Sequence, residues 1–121
     1  MTKSNVKNIQ VRLNIDKEEG KQIYKHLKIS FLGTGTSQGV PVIACNCHVC
    51  QSQDKLDKRL RSSILIELDQ LNIIVDTGPD FRYQMLREGV THLDAILMTH
   101  AHKDHIAGLD DVRAFNYQQQ A

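Results

Sequence analysis

The sequence lacks several features that would assign a protein to a broad functional class. No apolar run approaches the ~18 residues that a membrane-spanning helix needs. The first five residues, Met1-Thr2-Lys3-Ser4-Asn5, lack the apolar segment of a secretory signal. The 15 lysine and arginine residues nearly balance 14 aspartate and glutamate residues, which leaves a net charge of +1 and no general attraction to nucleic acid. These absences predict a soluble, cytoplasmic protein with no membrane partner and no strong nucleic-acid signal.

Cysteine is also scarce, and its distribution argues against a fold held together by disulfides. The three cysteines of the chain, Cys45, Cys47 and Cys50, lie within six positions of one another. An odd, clustered set favours a reducing compartment in which the thiolates bind a metal. Cysteines can also serve as small buried hydrophobes, and the spacing alone leaves that alternative open.

A dense cluster of metal-binding side chains is present instead. His100, His102, Asp104 and His105 lie within six consecutive positions, after the apolar run 95–99, which is typical of a buried strand. Imidazole and carboxylate groups are the ligands of zinc and similar divalent ions. The two histidines of His-x-His can face one side of an extended loop and bind one ion, whereas the Asp-His pair can bind another. The spacing therefore predicts a site for two metals, and such ligands accept zinc, manganese or iron.

Residue patterns predict strands on both sides of the cysteines. Residues 27–32 alternate in polarity and continue into a glycine-rich loop, 33–41, which either cradles a phosphate or forms a structural turn. The β-branched runs 63–68 and 72–76 predict a hairpin. A weaker alternation at 9–15 predicts an edge strand.

Helical patterns lie between and after these strands. Residues 51–61 predict a short amphipathic helix, whose basic residues are either a solvated face or, at Arg61, donors to an anion. A second helix is expected at 80–88, burying Phe81, Met85 and Leu86 and capped by Gly89. A third is expected from residue 106, because apolar residues recur at 106, 109, 112 and 115.

Asp76 ends the second hairpin strand, as the His cluster follows a later one. A carboxylate in that position can accept a hydrogen bond from a metal-bound histidine and fix its tautomer. A cap of the following turn or helix is the alternative explanation.

Taken together, these motifs resemble the metallo-β-lactamase superfamily. The resemblance is carried by His-x-His-x-Asp-His after an apolar strand and by Asp76-Thr77-Gly78 after an earlier one. The loop 31–41, followed by Cys-x-Cys-x-x-Cys, is similar to the PhnP-like phosphodiesterase branch. The resemblance covers about residues 27–115. It implies the α/β (α+β) class and the αββα sandwich, of which the chain would hold the first half as a mostly antiparallel or mixed sheet with flanking helices.

The resemblance also implies roles for particular residues. His100 and His102 would bind one catalytic metal, and Asp104 and His105 the other. Asp104 would also orient the attacking hydroxide, and Asp76 would support the ligands by hydrogen bonds. Cys45, Cys47 and Cys50 would hold a separate structural zinc with a later histidine, since His48 is awkwardly placed to join them.

The expected activity is that of a metal-dependent hydrolase. Two ions, zinc or manganese, would activate a water that attacks the phosphorus of a small phosphodiester or cyclic phosphate. Full family members supply further ligands from a second half, and no histidine follows His105. We therefore expect a charged extension at 1–26 and the amino-terminal half of a metallo-β-lactamase-like domain at 27–121, within a longer protein.

Two alternatives stay open, and no substrate-binding residue is predicted. The first alternative is an inactive metal-binding half-domain, possibly covered by a second copy in a homodimer. The second is a thioester or other ester hydrolase of the same superfamily.

Overall fold

One mixed β-sheet organises the part of the chain that the structure, a computed structural model, describes: residues 8–11 and 26–120. Its five strands lie side by side in chain order: β1 (Asn8–Val11), β2 (Leu27–Gly33), β3 (Ser63–Leu68), β4 (Leu71–Val75) and β5 (Ala95–Leu97). The first four are antiparallel neighbours, whereas β5 runs parallel to β4. This arrangement confirms the predicted mixed sheet. The predicted edge strand is present as β1, and its remainder at 12–15 lies outside the described residues.

The hairpin of β3 and β4 follows from its sequence. Leu68 pairs with Leu71, so Asp69 and Gln70 form a two-residue turn. Asp69 adopts the left-handed conformation, with φ 51°, that such turns require. Because β5 is parallel to β4, the chain must cross over between them, and the carboxyl ends of both strands lie at the same edge of the sheet. That edge carries Asp76 and the His cluster.

Helix α1 (Phe81–Glu88) covers one face of the sheet and confirms the predicted helix. It ends at Gly89, whose φ of 67° is the left-handed conformation of a helix cap. The core lies between the helix and the sheet, and its buried members are Leu32, Leu65, Ile74, Phe81, Met85 and Leu93. Leu86 was expected in this core but is 50% exposed. Gln84 occupies the inner face instead, and its amide donates to the Arg61 carbonyl at 3.0 Å.

The predicted helix at 51–61 is wrong. A single 3₁₀ turn, Lys55–Asp57, is followed by extended backbone at Lys58. Arg59 and Val40 exchange two backbone hydrogen bonds, at 2.8 and 2.9 Å, and the Leu60 carbonyl accepts the Gly35 N–H at 2.7 Å. Because the backbone groups of 59–60 bond to the glycine-rich loop, they cannot continue a helix.

The carboxyl-terminal helical region is broken into three pieces. These are α2 (Lys103–Ile106), a 3₁₀ turn (Leu109–Val112) and α3 (Arg113–Gln119). The break occurs because the Gly108 N–H donates to the Thr77 carbonyl at 2.9 Å rather than within a helix. Val112 and Phe115 pack against the core, but Leu109 is exposed.

The strand before the His cluster differs from its prediction in being largely exposed. Ile96 packs against the core, whereas Leu97 is 53% exposed. Within the described residues, β5 lies at the edge of the sheet with β4 as its only neighbour, which explains the exposure. Among the helices of residues 26–120, none combines the length and apolar character needed to cross a membrane.

Candidate metal centre

Two loops meet at the carboxyl ends of β4 and β5 and hold the candidate site. The Asp76 N–H donates to the Leu97 carbonyl at 2.9 Å, and the Thr77 N–H donates to the His105 carbonyl at 2.8 Å. Gly78 allows this close approach, because a Cβ at that position would collide with the Asp104 carbonyl oxygen. Backbone contacts therefore fix the His cluster relative to Asp76 before any side chain is considered.

Asp76 is the buried centre of the site, with 4% of its surface exposed. Its Oδ1 accepts the Thr99 N–H at 2.8 Å, and its Oδ2 accepts the Thr99 hydroxyl at 2.7 Å. The same Oδ2 lies 2.6 Å from Nδ1 of His105. Asp76 has a φ of 63°, a left-handed conformation that aspartate tolerates better than most residues. The carboxylate thus bonds to the loop that carries the His cluster. The N-cap residue of α1 is Asp80, so the alternative role of Asp76 as the cap of that helix does not apply.

The hydrogen bonds also determine the protonation of this pair. Burial raises the pKa of Asp76, but the bonds from Thr99 and His105 outweigh it, so the pKa is lowered overall. The carboxylate is therefore ionised at neutral pH and can only accept hydrogen bonds. It follows that Nδ1 of His105 carries a proton, which leaves the lone pair of a neutral ring on Nε2.

Contacts between pairs of side chains connect the four predicted ligands, although no three of their ligand atoms converge as those of the cysteine cluster do within the described residues. Nε2 of His105 is 3.0 Å from Oδ2 of Asp104. The His100 ring centroid lies 4.6 Å from that of His102 and 4.0 Å from that of His105. Ligand atoms held at ~2.0–2.1 Å by one ion are about 3 Å apart, so the spacing of Asp104 and His105 fits a shared metal. His100 and His102 are exposed, and the assignment of ligands to two ions stays a prediction.

The cysteine cluster is a separate candidate metal site. The Sγ atoms of Cys45, Cys47 and Cys50 all lie within 4.8 Å of one another, and in the described ranges no fourth histidine, cysteine or carboxylate joins them. Backbone N–H groups point at two of the sulfurs: that of Cys50 lies 3.4 Å from Cys47, and that of Val42 lies 3.4 Å from Cys50. This thiol-rich set fits zinc.

The two hydrogen-bonded thiols differ in acidity. The Cys50 N–H lowers the pKa of Cys47, which favours the thiolate that a metal binds. The Val42 N–H lowers the pKa of Cys50 as well, but burial and the neighbouring thiols outweigh it and raise the pKa overall.

The glycine-rich loop is explained by close backbone packing. A Cβ at Gly33 would collide with the Arg61 carbonyl oxygen, and one at Gly35 would lie 2.5 Å from the Arg59 carbonyl oxygen. Arg61, the predicted anion donor, is engaged by Asp80: its guanidinium donates at 3.0 Å and its backbone N–H at 2.9 Å. These contacts favour the structural turn over the phosphate cradle.

Sequence reasoning gave no role to Thr99, which bonds to Asp76 through both its N–H and its hydroxyl. Its position directly before His100 was the available signal. That signal does not reveal the hydroxyl's partner, because Asp76 lies 23 residues earlier in the chain.

Comparisons with known proteins give a consistent family. A family model described as "Beta-lactamase superfamily domain" matches residues 71–121. The chain is 47% identical over 95 residues to a protein named octanoyltransferase from Porphyromonas gingivalis, a match that covers 78% of this chain and 19% of that protein. It is 30% identical over 101 residues to coenzyme PQQ synthesis protein B from Methylobacterium radiotolerans, covering 72% of this chain and 34% of that protein.

Two solved structures share the fold. One is described as a new diphosphatase from the PhnP family, with a TM-score of 0.74 and 50% identity over 77% of this chain and 37% of the other. The second is Zn²⁺-bound PqqB from Methylobacterium extorquens, with a TM-score of 0.60 and 31% identity over 70% of this chain and 33% of the other. The chain thus spans 19–37% of the length of these four relatives.

Proposed function

We propose that this chain supplies part of the active site of a metal-dependent hydrolase. The proposal starts from the fact that the chain belongs to the metallo-β-lactamase superfamily and is PhnP-like. The observation that carries the proposal is the position of His105 between two carboxylates. Its Nδ1 lies 2.6 Å from Asp76 and its Nε2 lies 3.0 Å from Asp104. A metal-binding histidine characteristically has its second nitrogen held by such a partner.

Each residue of the cluster has a separate task in this proposal. His100 and His102 would hold one divalent ion, and Asp104 and His105 the other. When bound, the ions would supply Lewis-acid activation of water and of the substrate. Asp76 keeps the His105 proton on Nδ1, so that Nε2 stays free to bind a metal. Asp104 is the candidate for orienting the nucleophile, since its side chain is partly exposed beside His105.

We propose a small phosphodiester or cyclic phosphate as the substrate. The similarity to a protein described as a diphosphatase supports chemistry at phosphorus. The cysteine cluster supports the same branch, and we propose that Cys45, Cys47 and Cys50 hold a structural zinc.

Hydrolysis of bis(p-nitrophenyl) phosphate tests the enzymatic proposal. The 121-residue chain is assayed with zinc or manganese, alongside elemental analysis, as wild type, as His102→Ala and as His26→Ala. The last variant removes an exposed histidine next to β2, far along the chain from the site. We expect metal-dependent turnover that His102→Ala abolishes and His26→Ala preserves. Full metal occupancy without metal-dependent turnover would count against the enzymatic proposal for this chain.

An acyl substrate is the second candidate, because one relative carries the name octanoyltransferase. The same preparations are assayed with an octanoyl thioester. Faster metal-dependent cleavage of the thioester than of the phosphodiester would favour the acyl candidate over ours.

A non-enzymatic half-domain is the third candidate. On the sheet face opposite the core, Phe31, Ile64, Val75 and Leu97 are paired in one row across four strands. These apolar side chains are partly or largely exposed within the described residues, so a second copy could cover them. A dimer in analytical ultracentrifugation that Leu97→Glu dissociates, together with absent turnover, would support this candidate.

A further inference from the structure

We propose that the Thr99 hydroxyl is a positioning group that fixes the tautomer of His100. Through Thr99, the single carboxylate of Asp76 would orient one histidine in each of the two predicted metal pairs. This inference rests on the proposed function only for the roles of His100 and His105 as ligands. The hydrogen-bond pattern itself is independent of any metal.

The argument begins with the single proton of the Thr99 hydroxyl. Oγ1 lies 2.7 Å from Oδ2 of Asp76 and 2.9 Å from Nδ1 of His100. A carboxylate has no hydrogen to donate, so the hydroxyl must direct its own hydrogen toward Asp76. The oxygen lone pairs then face His100, whose Nδ1 can bond to them only by donating. His100 is therefore protonated on Nδ1, and the lone pair of its neutral ring lies on Nε2.

The hydroxyl is well placed for this task because Thr99 contacts Asp76 at two points. Besides the hydroxyl, the Thr99 N–H donates to Oδ1 of the same carboxylate at 2.8 Å. Two bonds to one buried carboxylate restrict both the backbone and the side-chain torsion of Thr99. The hydroxyl therefore presents a fixed direction to the neighbouring imidazole.

His105 completes the arrangement through a direct bond. Its Nδ1 lies 2.6 Å from Oδ2 of Asp76, whereas its distance of 3.5 Å from the Thr99 hydroxyl is too long to compete. Asp76 thus reaches His105 directly and His100 through one hydroxyl. Both imidazoles thus carry a proton on Nδ1, which makes Nε2 the candidate ligand atom in each. In His105 that atom lies 3.0 Å from Asp104, its predicted partner on one ion.

The consequence is that both histidines hold the tautomer required for metal binding before a metal binds. Free histidine in water favours the tautomer with the proton on Nε2, which would have to be reversed for that atom to become a ligand. Partners behind a metal ligand typically change metal affinity by ~10–100-fold when removed. We expect Thr99 to act in this way on the first metal pair.

The direct test is the tautomer of His100 in the metal-free wild-type chain. Nitrogen-15 NMR of the imidazole, at a pH where the ring is neutral, distinguishes protonated from unprotonated Nδ1 and Nε2. We expect His100 to be protonated on Nδ1. A ring protonated mainly on Nε2 would overturn the proposal, and because no metal is added, this result is independent of whether the chain binds metal or hydrolyses anything.

Variants at Thr99 test the consequence for metal binding. Thr99→Val keeps the shape but removes the hydroxyl, Thr99→Ser keeps the hydroxyl, and Thr91→Val is the matched control at an exposed threonine outside the site. Zinc affinity is measured by competition with a chromophoric chelator. We expect about 10-fold weaker binding in Thr99→Val, recovery in Thr99→Ser and no change in Thr91→Val. Equal losses in the valine and serine variants, or no loss in either, would contradict the proposal. Should Thr99→Val fail to fold, the tautomers of the wild type and Thr99→Ser decide the matter.

Discussion

Replacing Asp76 by asparagine is the substitution that most directly tests the site. Asparagine has nearly the same shape, but it offers one acceptor oxygen and one donor amide in place of two acceptor oxygens. Asp76 accepts three hydrogen bonds, two from Thr99 and one from His105. Whichever way the amide is oriented, at least one of these donors faces an N–H₂ group. If that donor is His105, its proton is driven to Nε2, the atom that should bind the metal.

The size of the effect follows from the bonds that are lost. A hydrogen bond to a charged group contributes ~1.5–3 kcal/mol, and asparagine removes the charge while keeping part of the pattern. We therefore expect the free energy of unfolding to fall by about 2–3 kcal/mol, which a domain stable by ~5–15 kcal/mol survives. Metal affinity should fall ~10–100-fold, because the tautomers behind the ligands are no longer fixed.

Urea unfolding and zinc competition measure the two effects on the same protein. Asp110→Asn is the matched control, since Asp110 is exposed and its side chain forms a long ion pair with Arg113; the change in the free energy of unfolding should stay within about 0.5 kcal/mol. An Asp76→Asn chain with the stability and zinc affinity of this control would refute the reasoning. Reduced stability with unchanged zinc affinity would limit Asp76 to a role in folding.

Three further predictions concern the cysteine cluster, the loop glycines and the core. Cys47→Ser should lower the tightly bound zinc, measured by elemental analysis after dialysis, relative to the exposed-site control Gln53→Ser; equal zinc contents would argue against the cluster as a metal site. Gly78→Ala should destabilise the chain by ~1–3 kcal/mol and weaken metal binding, because its Cβ collides with the Asp104 carbonyl. Gly89→Ala, at φ 67° with open space around it, should cost only ~1 kcal/mol of backbone strain and leave metal binding unchanged; equal metal affinities of the two alanine variants would contradict this distinction. Phe81→Ala should lower the free energy of unfolding by ~3–5 kcal/mol in urea, because the ring is fully buried, whereas the exposed Tyr83→Ala should change it by less than about 1 kcal/mol. Similar losses at 81 and 83 would mean that α1 packs differently.

Elements whose signals are local could be predicted from the sequence. The hairpin of β3 and β4 follows from two β-branched runs around a polar turn, and α1 follows from its apolar spacing and from Gly89. Within α1, however, the buried side chains differ from the prediction, because Leu86 is exposed and Gln84 is buried. Gln84 faces inward because the Arg61 carbonyl accepts its amide, and this partner is 23 residues away in the chain.

The predicted helix at 51–61 is absent and the one predicted from residue 106 is interrupted, and the two differences have a related physical reason. The spacing of Leu56 and Leu60 is compatible with a helix, but the backbone groups of 59–60 bond to the glycine-rich loop. At Gly108, a bond to Thr77 interrupts an otherwise helical apolar period. Helix propensity describes a segment in isolation. In these two segments, hydrogen bonds to distant parts of the chain determine the backbone conformation instead.

In the candidate site, too, features set by neighbouring residues could be predicted, whereas those set by distant residues could not. The ligand types and their place after a strand could be predicted from the residues, as could a supporting carboxylate after an earlier strand. The role of Thr99 could not, because it depends on which carboxylate the parallel pairing of β4 and β5 brings beside it.

A supporting group that is distant in the chain makes the two candidate metal sites thermodynamically unequal. The cysteines lie within six positions, so even an unfolded chain can gather them around an ion at little cost in loop closure. The four predicted ligands of the histidine site are equally close in the chain. Asp76, however, which holds Nδ1 of His105, is 29 residues away from it, and the two meet only when β5 has docked beside β4. A metal stabilises the native state only to the extent that it does not also bind the unfolded chain. At equal affinity for the native protein, an ion in the histidine site should therefore raise the free energy of unfolding more than an ion in the cysteine cluster, which can remain bound after the sheet has melted.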